Sequence, residues 1–547
     1  MPSKMTDRPI FTYQTRLVLD ADQDAQMADY AALYGQSERR LFAALRAGGS
    51  LNTIKRTFLK RFGLTARQFN ALRVGLDGKI AAIQERRPQL IVEVETRIKK
   101  AQKVIAKMTK RTPGSKTLHE KKRQLAILKA RCAALKADHK AGVVRLCFGS
   151  KKLFRAQFAI EANGYTDHAA WKSDWAAARN SQFFVLGSQD ETAGNQTCQA
   201  VKQEDGTLTL YLRLPPALAD QGTHITLPGV RFPYGQEAVE QALRSSRRVT
   251  TQTAAGKPVV KRVGTALSYR FVRDVKGWLV FVSVAVPAVP VTTVRLAGAI
   301  GLDINADHLA LAETDRFGNL IETQRLDLIT YGKTTDQAKA LMGDVVAKIA
   351  TLARQAGKPV VVEQLDFGRK KAELEAMNHR KARMLSSFSY NKILSGLKAA
   401  CFREGVEVIT VNPAYTSVIG AVNHAQQKGI SVHQGAAYAV ARRGLRLSER
   451  PTVREAVVPT RNGGHVTFAL PVRNRAKHVW SFWSRVRSGL KAAHTAHVRR
   501  GDHKTAPPPL TSRNGAWLGA VWASPARSRS ANRQPYCSAD VLPDPPF

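Results

Sequence analysis

Cysteine is scarce in this chain of 547 residues. The cysteines are odd in number, lie far apart and form no C-x-x-C pair; they are Cys132, Cys147, Cys198, Cys401 and Cys537. That pattern argues against a disulfide framework and against a zinc ribbon. A reducing cytoplasm therefore suits the protein best.

Long hydrophobic runs are also missing. No apolar run reaches the roughly 18 residues that a helix needs to cross a bilayer. The stretch MPSKMTDRPIFTYQ at the start lacks the apolar core of a signal peptide. We therefore expect no membrane partner.

Acidic side chains are few. The chain has 42 aspartates and glutamates against 85 lysines and arginines, a formal net charge of +43. Self-repulsion at such a charge opposes a compact, soluble state unless an anionic partner offsets it. Nucleic acid is the leading partner. The apolar fraction of 44% is ordinary for folded proteins, and the length predicts about two to four domains.

The first half of the chain combines strand and helix patterns. FTYQTRLVLD alternates like a strand and is followed by helical spacing. From Asp77 to Asp138 the sequence predicts two long helices joined by RTPGSK, with basic outer faces. This hairpin is either a solvated element or an arm that rests against phosphates. From about 180 to 292, short alternating runs predict a small antiparallel barrel or sandwich, with a helix in FPYGQEAVEQALRS.

Two acids end strands in the region that follows. AGAIGLDI, HLALAET and LIETQRLDL predict a meander of three antiparallel strands. A helix, the apolar strand KPVVVEQLDF, a second helix and the strand VEVITVNP come next, which predicts a mixed sheet covered by helices. Asp303 and Glu363 stand at the carboxyl ends of strands, where open α/β sheets place their sites.

A carboxylate beside a buried strand is costly unless a cation compensates it, and a divalent metal is one such cation. Two metals held by acids on neighbouring strands activate water and stabilise the leaving oxygen of a phosphodiester. The alternative is that each acid caps a helix or pairs with a surface lysine. Two acids in this strand order, in so basic a chain, favour the metal site.

The same residues resemble the RuvC-like, RNase H-fold nuclease domain of transposon-associated TnpB proteins and related type V CRISPR effectors. The resemblance covers about 298 to 446 and lies in IGLDIN with its meander, in VVVEQLDF and in SSFSYNKILSGLKAACFREGVEVITVNPAYTS. In that family the first strand carries G-x-D and the second motif is an apolar strand ending in Glu. The resemblance therefore implies that Asp303 and Glu363 are the first two catalytic residues.

The chain departs from the family pattern in two places. No cysteine follows NPAYTS, where the family has a zinc ribbon, so no zinc is expected. The third motif, D-x-N-A-A, aligns with HQGAA and puts His433 where the third Asp should be. Some RuvC-type resolvases use a histidine near this place, and imidazole suits Mn²⁺ better than Mg²⁺. His433 is either the third ligand or a helix-start residue that hydrogen-bonds locally.

Other polar residues are candidates for supporting roles. Asp307, Asp366 and His424 are possible substitutes for the third acid. Asn305 either bonds a neighbouring strand, the role that we favour, or orients a metal-bound water. Because guanidinium groups and rings grip single strands, nucleic-acid contacts are predicted in the basic and aromatic segments, with solvated surface positions as the alternative. They are Arg369, Lys370, Lys371, Arg380, Arg383, Arg442, Arg443, Trp480 and Trp483.

The resemblance also extends to the order of the preceding segments, and it implies a multidomain α/β protein. Its parts are an RNase H-like (RuvC) mixed sheet with helices, a helical recognition lobe and a small antiparallel β-barrel, the wedge. The predicted divisions are 1–20, first strand of the wedge; 21–179, helical lobe; 180–292, wedge; 293–450, nuclease domain; 451–505, basic extension; and 506–547, disordered tail.

The implied function is an RNA-guided, metal-dependent DNA endonuclease of the prokaryotic cytoplasm. It would hold a guide RNA, pair it with target double-stranded DNA, and cleave with Mg²⁺ or Mn²⁺ at Asp303, Glu363 and His433. One alternative is an RNA-guided DNA binder whose degenerate site does not cleave. Another is a transposase or resolvase that works without a guide. The sequence does not determine the guide, the flanking motif or the oligomeric state.

Overall fold

A computed structural model describes residues 9–252, 258–364, 390–451, 453–460 and 464–501. These residues fall into two compact units that meet in the chain between Ala288 and Val289. Within the described residues, no helix has both the length and the apolar character needed to span a membrane.

The first unit begins with helices that follow a single strand. Its helices are α1 Ala21–Arg46, α2 Leu51–Phe62, α3 Ala66–Arg111, α4 Lys116–Lys140, α5 Lys151–Ala156, α6 His168–Arg179 and α7 Gln236–Arg244. Helices α3 and α4 are the predicted basic hairpin. The buried Arg87 on α3 steadies its base, because its guanidinium donates to the carbonyls of Asp138 at 2.8 Å and Val143 at 2.7 Å.

The strands of the first unit form antiparallel sheets. They are β1 Ile10–Arg16, β2 Gln182–Val185, β3 Cys198–Lys202, β4 Leu208–Arg213, β5 His224–Val230, β6 Arg247–Gln252, β7 Pro258–Val263, β8 Leu267–Asp274 and β9 Gly277–Ala285. The sheets have the orders β1-β9-β8-β2, β3-β4-β5 and β6-β7. In the described part of the chain these ladders do not join into one, so the closed barrel stays a prediction.

One hydrophobic core joins helices and strands of the first unit. The ring of Tyr30 on α1 stacks on Phe183 of β2 at 4.2 Å, and Phe183 stacks on Phe271 of β8 at 4.8 Å. The indole of Trp278 on β9 donates to Asp24 at the start of α1, at 3.0 Å. The strand that precedes α1 also belongs here, because β1 pairs with β9 along its length. Helices and sheets of this unit therefore fold on each other.

The second unit is a mixed sheet between helices, as predicted. Its strands are β10 Ala299–Ile304, β11 His308–Thr314, β12 Leu320–Asp327, β13 Val360–Glu363, β14 Val408–Val411, β15 Glu455–Pro459 and β16 His465–Ala469. Its helices are α8 Thr335–Ala356, α9 Tyr390–Arg403, α10 Thr416–Ile419, α11 Val432–Gly444 and α12 Val479–Gly501, with a π-helical turn at Gly420–Ala425.

The main sheet has the order β12-β11-β10-β13-β14. Strands β10 to β12 are antiparallel neighbours, whereas β13 runs parallel to β10 and β14 parallel to β13. One face packs against α8 and α9. The other face packs against α11, whose Ala437 and Val440 meet small residues of β10, β11 and β13. The sheet is thus closed by helices on both sides.

The chain beyond α11 packs onto the same unit. Strands β15 and β16 form an antiparallel hairpin, and α12 places Phe482, Trp483 and Val486 in a small core with Ile419 and Val422. This finding places the start of the predicted basic extension against the π-helical turn rather than in solvent.

Candidate active site

The alternation of β10 and β13 puts two acids on one face of the sheet. Gly301 pairs with Val361 in the parallel ladder. Asp303 and Glu363 each lie two residues beyond this last paired position, at the carboxyl ends of adjacent parallel strands. Val361 faces α11, so the two carboxylates leave the sheet on the α11 side, at the carboxyl ends of both strands.

Gly301 explains how α11 comes so close to these strands. A Cβ at this position would lie 2.1 Å from the carbonyl oxygen of Ala437 and 2.5 Å from the amide nitrogen of Ala441. Only glycine leaves room for that approach. The glycine two residues before Asp303 therefore sets the distance between the acids and the start of α11.

Asp303 is only 8% exposed, and polar side chains meet its charge. Its Oδ2 accepts a hydrogen bond from Nδ2 of Asn305 at 3.0 Å and lies 3.1 Å from Nδ1 of His433. A buried carboxylate without such partners would be strongly destabilising. These two contacts therefore fix the direction of the carboxylate before any ligand arrives.

His433 reaches Asp303 from the first turn of α11. Ser431 and Gln434 cap this helix through the reciprocal bonds of a capping box, so the imidazole is not used for local capping. Because a carboxylate only accepts, Nδ1 carries the hydrogen in this contact, and in the neutral ring the lone pair is on Nε2. The side chain is 39% exposed, which leaves the ring accessible from solvent.

Glu363 is held by residues that the sequence did not single out. Its Oε1 accepts a hydrogen bond from the hydroxyl of the buried Thr416, at the start of α10. The hydroxyl of Tyr390, at the start of α9, donates to the backbone carbonyl of Glu363 at 3.4 Å. Thr416 and Tyr390 each lie at the first residue of a described helix, next to the end of a strand. That position could have indicated them as partners of Glu363 from the sequence.

Two titratable side chains near Glu363, Tyr390 and Arg443, have shifted pKa values. Burial raises the pKa of Tyr390 above its ordinary value, and the carboxylates of Glu363 and Asp303 raise it further, so the phenol stays protonated. Burial lowers the pKa of Arg443, while Glu363 and Glu449 act in the opposite direction. The acids thus lie within the electrostatic reach of a hydroxyl donor and a guanidinium.

Two of the other candidates for the third acid, Asp307 and His424, have partners of their own. Asp307 accepts from Nδ1 of His308 at 2.9 Å and pairs with Arg325 at 3.4 Å. The hydrogen bond from His308 lowers the pKa of Asp307 to about 2. His424 is buried, 3.3 Å from Glu449. Asp366 lies outside the described residues.

A divalent metal fits this site by donor type. Asp303 and Glu363 offer the oxygen ligands that Mg²⁺ and Mn²⁺ prefer, at the ends of adjacent parallel strands. His433 adds an imidazole, which Mn²⁺ accepts more readily. Within the described residues, however, no three Asp, Glu, His or Cys side chains are arranged to hold one metal ion. The two carboxylates are therefore the residues that would hold it, with His433 attached to one of them.

The predicted nucleic-acid contacts divide into several groups. Arg442 donates to Glu449 and to the Gly318 carbonyl, both at 2.6 Å, and Arg443 donates to the carbonyls of Asn412 and Ala414. Trp483 is 2% exposed and packs in the core, whereas Trp480 is 42% exposed. The remaining five lie outside the described residues: Arg369, Lys370, Lys371, Arg380 and Arg383.

Comparison with known proteins gives weak likenesses. No family model matches the chain, and no curated protein matches it. "T. thermophilus RuvC in complex with Holliday junction substrate" is 20% identical, covering 26% of this chain and 88% of that one, at a TM-score of 0.19. A CRISPR-Cas12f ternary complex is 11% identical, covering 80% of this chain and 100% of that one, also at a TM-score of 0.19. TM-scores this low do not show that two proteins share a fold. The architecture is therefore argued from the strand order and packing described above.

Proposed function

We propose that the chain is a metal-dependent DNA endonuclease directed by a guide RNA. The observation that supports this proposal is that Asp303 and Glu363 end two adjacent parallel strands and that His433 contacts Asp303. The net charge of +43 supports a nucleic-acid partner. The motifs that resemble TnpB proteins support a guide RNA and double-stranded target DNA as the two partners.

A divalent metal bound by the two carboxylates would activate a water molecule and stabilise the leaving oxygen of the phosphodiester. The protein's part is to hold those carboxylates in place. Asn305 and His433 fix Asp303, and the Thr416 hydroxyl fixes Glu363. Side chains that orient metal ligands in this way keep the site ready without rearrangement.

His433 has the tautomer that this role needs. Its Nδ1–H points to Asp303, so Nε2 of the neutral ring can bind a metal or accept a proton from water. A histidine that binds metal usually donates its other ring hydrogen to a carboxylate or carbonyl. Since imidazole is a softer ligand than carboxylate, we expect Mn²⁺ to support cleavage better than Mg²⁺.

A second candidate function is RNA-guided DNA binding without cleavage. One observation favours it: within the described residues no three donors are arranged around a single point. Asp303 also has its charge met by Asn305 and His433, so its burial does not require a metal. If this second function is correct, the acidic site no longer catalyses cleavage and the protein acts by remaining bound to DNA.

One experiment separates the two candidates. The protein is purified from cells that carry its own flanking DNA, bound RNA is sequenced, and the complex is incubated with matching DNA in Mg²⁺ and in Mn²⁺. We expect cleavage that disappears in Asp303→Ala and Glu363→Ala. The matched control is Asp336→Ala, which removes an exposed acid of α8 in the same unit.

Each other outcome has a definite meaning. Guide-dependent binding that leaves DNA intact in both metals supports the second candidate and contradicts the first. Absence of bound RNA contradicts both. Cleavage that persists in Asp303→Ala and Glu363→Ala would place the active site elsewhere in the chain.

A further inference from the structure

The first unit contains a cleft of about 470 Å³ that is separate from the acidic site. It lies between α1, the last turn of α2 and the short 3₁₀ segment Pro216–Gln221. Its volume is in the range of small-ligand pockets, about 300–1,000 Å³. Leu33 and Phe62 are apolar side chains in a lining that is otherwise largely polar.

Positive charge gathers in this cleft. Arg40 of α1 and Lys60 and Arg61 of α2 line it, and no acidic side chain lines it among the described residues. Arg61 lies over the Phe62 ring at 5.6 Å. For Arg40 and Lys60, the described residues supply no hydrogen bond or ion pair. Like charges that converge without a counter-charge favour the binding of an anion.

Arg39, the neighbour of Arg40, has polar partners in the fold, whereas the described residues give Arg40 none. Arg39 donates to the Arg179 carbonyl at 3.3 Å and to Oδ1 of Asn180 at 3.2 Å, so it ties α1 to the end of α6. Lys60 and Arg61 also favourably oppose the negative end of the α2 dipole. Arg40 lies within α1, away from its ends, where the dipole gives it no such role.

The wall of the cleft is fixed by close backbone packing. Gly63 ends α2 in the left-handed region, at φ 53°. Its carbonyl accepts from the amide of Ala217 at 3.1 Å, and a Cβ on Gly63 would lie 2.7 Å from Cβ of Ala217. The backbone at the end of α2, which carries Lys60 and Arg61, is therefore held at a set distance from the 3₁₀ segment.

We propose that this cleft binds a backbone phosphate of a nucleic-acid strand, with Arg40, Lys60 and Arg61 as its counter-charges. A phosphate oxygen supplies the acceptors that guanidinium and ammonium groups lack here. Leu33 and Phe62 offer apolar contact to the sugar or base edge next to that phosphate. The inference rests on the proposed nucleic-acid function, but it does not depend on cleavage.

The first test is protection of Lys60 from an amine-labelling reagent, measured by mass spectrometry on the full chain. The probes are a single-stranded RNA, a duplex DNA and inorganic phosphate. Lys172 on α6 is exposed and outside the cleft, so it serves as the internal control. We expect labelling of Lys60 to fall several-fold with one or both nucleic acids while labelling of Lys172 is unchanged. The nucleic acid that protects Lys60 from labelling identifies whether RNA or DNA supplies the phosphate.

The second test compares charge-matched double variants. Arg40→Ala with Lys60→Ala should weaken binding and reduce the slope of log Kobs against log salt by about one for each lost contact. Arg231→Ala with Lys172→Ala removes the same charge from exposed positions of the same unit and should leave the slope unchanged. All four side chains are exposed, so circular dichroism should show each variant folded.

The outcomes separate the two proposals. If nucleic acid binds and Lys60 stays fully labelled, the cleft proposal fails and the proposed function stands. If protection comes from inorganic phosphate alone, the cleft serves a small anion and the proposal fails. If neither nucleic acid binds the wild-type chain, the proposed function fails and the cleft proposal fails with it.

Discussion

Two charged sites, one in each unit, are used in opposite ways. In the second unit, Asp303 and Glu363 are each held by a hydrogen bond from a side chain distant in sequence. In the first unit, Arg40 and Lys60 line a cleft with no described partner. Carboxylates whose direction is fixed by hydrogen bonds suit catalysis at one position. Cationic side chains without a partner in the fold suit the binding of a ligand that supplies the counter-charge.

Most arginines with recorded partners serve the fold in both units. In the second unit, Arg442 and Arg443 donate to carbonyl and carboxylate groups of the protein itself. Their side chains hold the loop after α11 and the segment before α10 in place. A high arginine content therefore does not mark a nucleic-acid surface by itself, and the unpaired cations are the informative ones.

The largest expected effect comes from removing the charge of the acids. Asp303→Asn and Glu363→Gln keep the size of each side chain, so we expect DNA cleavage to fall below detection while guide RNA still co-purifies. Cleavage of matched DNA and the amount of bound RNA are the measurements. Asp336→Asn is the control and should cleave normally. Full cleavage by Asp303→Asn would contradict the contrast between the two units, because the hydrogen-bonded carboxylate of Asp303 would then have no role in catalysis.

The next largest effect is expected from changing the packing between β10 and α11, which positions the acids. Gly301→Ala puts a methyl group against the α11 backbone, so we expect the free energy of unfolding of the second unit to fall by about 3 kcal/mol. Cleavage should fall with it. Gly343→Ala is the matched control, because a Cβ there meets nothing within 4 Å and α8 gains up to about 1 kcal/mol of helix propensity. Equal denaturation midpoints for the two variants would contradict this account.

Much of the second unit could be predicted from the sequence because its signals are local. Period-two runs gave β10 to β12, and the apolar strand before Glu363 gave β13. The resemblance to a G-x-D motif and to a third motif then placed Asp303 and His433 near each other. The contact of 3.1 Å between them agrees with that placing, although their roles stay predictions.

The remaining features depend on tertiary packing that no local pattern records. Thr416 reaches Glu363 only because α10 begins beside the end of β13. Trp483 is buried because α12 packs that face on the β15–β16 hairpin region and the π-helical turn. The cationic cleft needs α1 and α2 to cross at one particular place. The spacing of residues along the sequence does not determine these distances, because each one joins residues of different helices and strands.

A smaller effect is expected from the hydroxyl that holds Glu363. Thr416→Val keeps the shape of the side chain but removes the donor, and partners of metal ligands typically contribute about 10–100-fold. We expect cleavage to slow by about tenfold, while Thr416→Ser retains the hydroxyl and most of the rate. Single-turnover cleavage rates of the three proteins are the measurement. If Thr416→Val and Thr416→Ser are equally slow, packing of the methyl group matters and the hydrogen bond does not.

The smallest expected effect is a pH dependence at Asp307, beside the acidic site. His308 lowers the pKa of Asp307 from 3.8 to about 2 in the folded protein. A lowered pKa stabilises the fold above the unfolded pKa, and this contribution is lost as the pH falls from about 4 to about 2. Asp307→Asn lacks the titrating group, so its free energy of unfolding should depend less on pH in that window. The side chain is 35% exposed, so solvent screening makes the difference smaller than the pKa values alone imply. Parallel urea denaturation at pH 2, 3, 4 and 5 checks this prediction, and identical pH profiles would show that the His308 contact contributes nothing to folding.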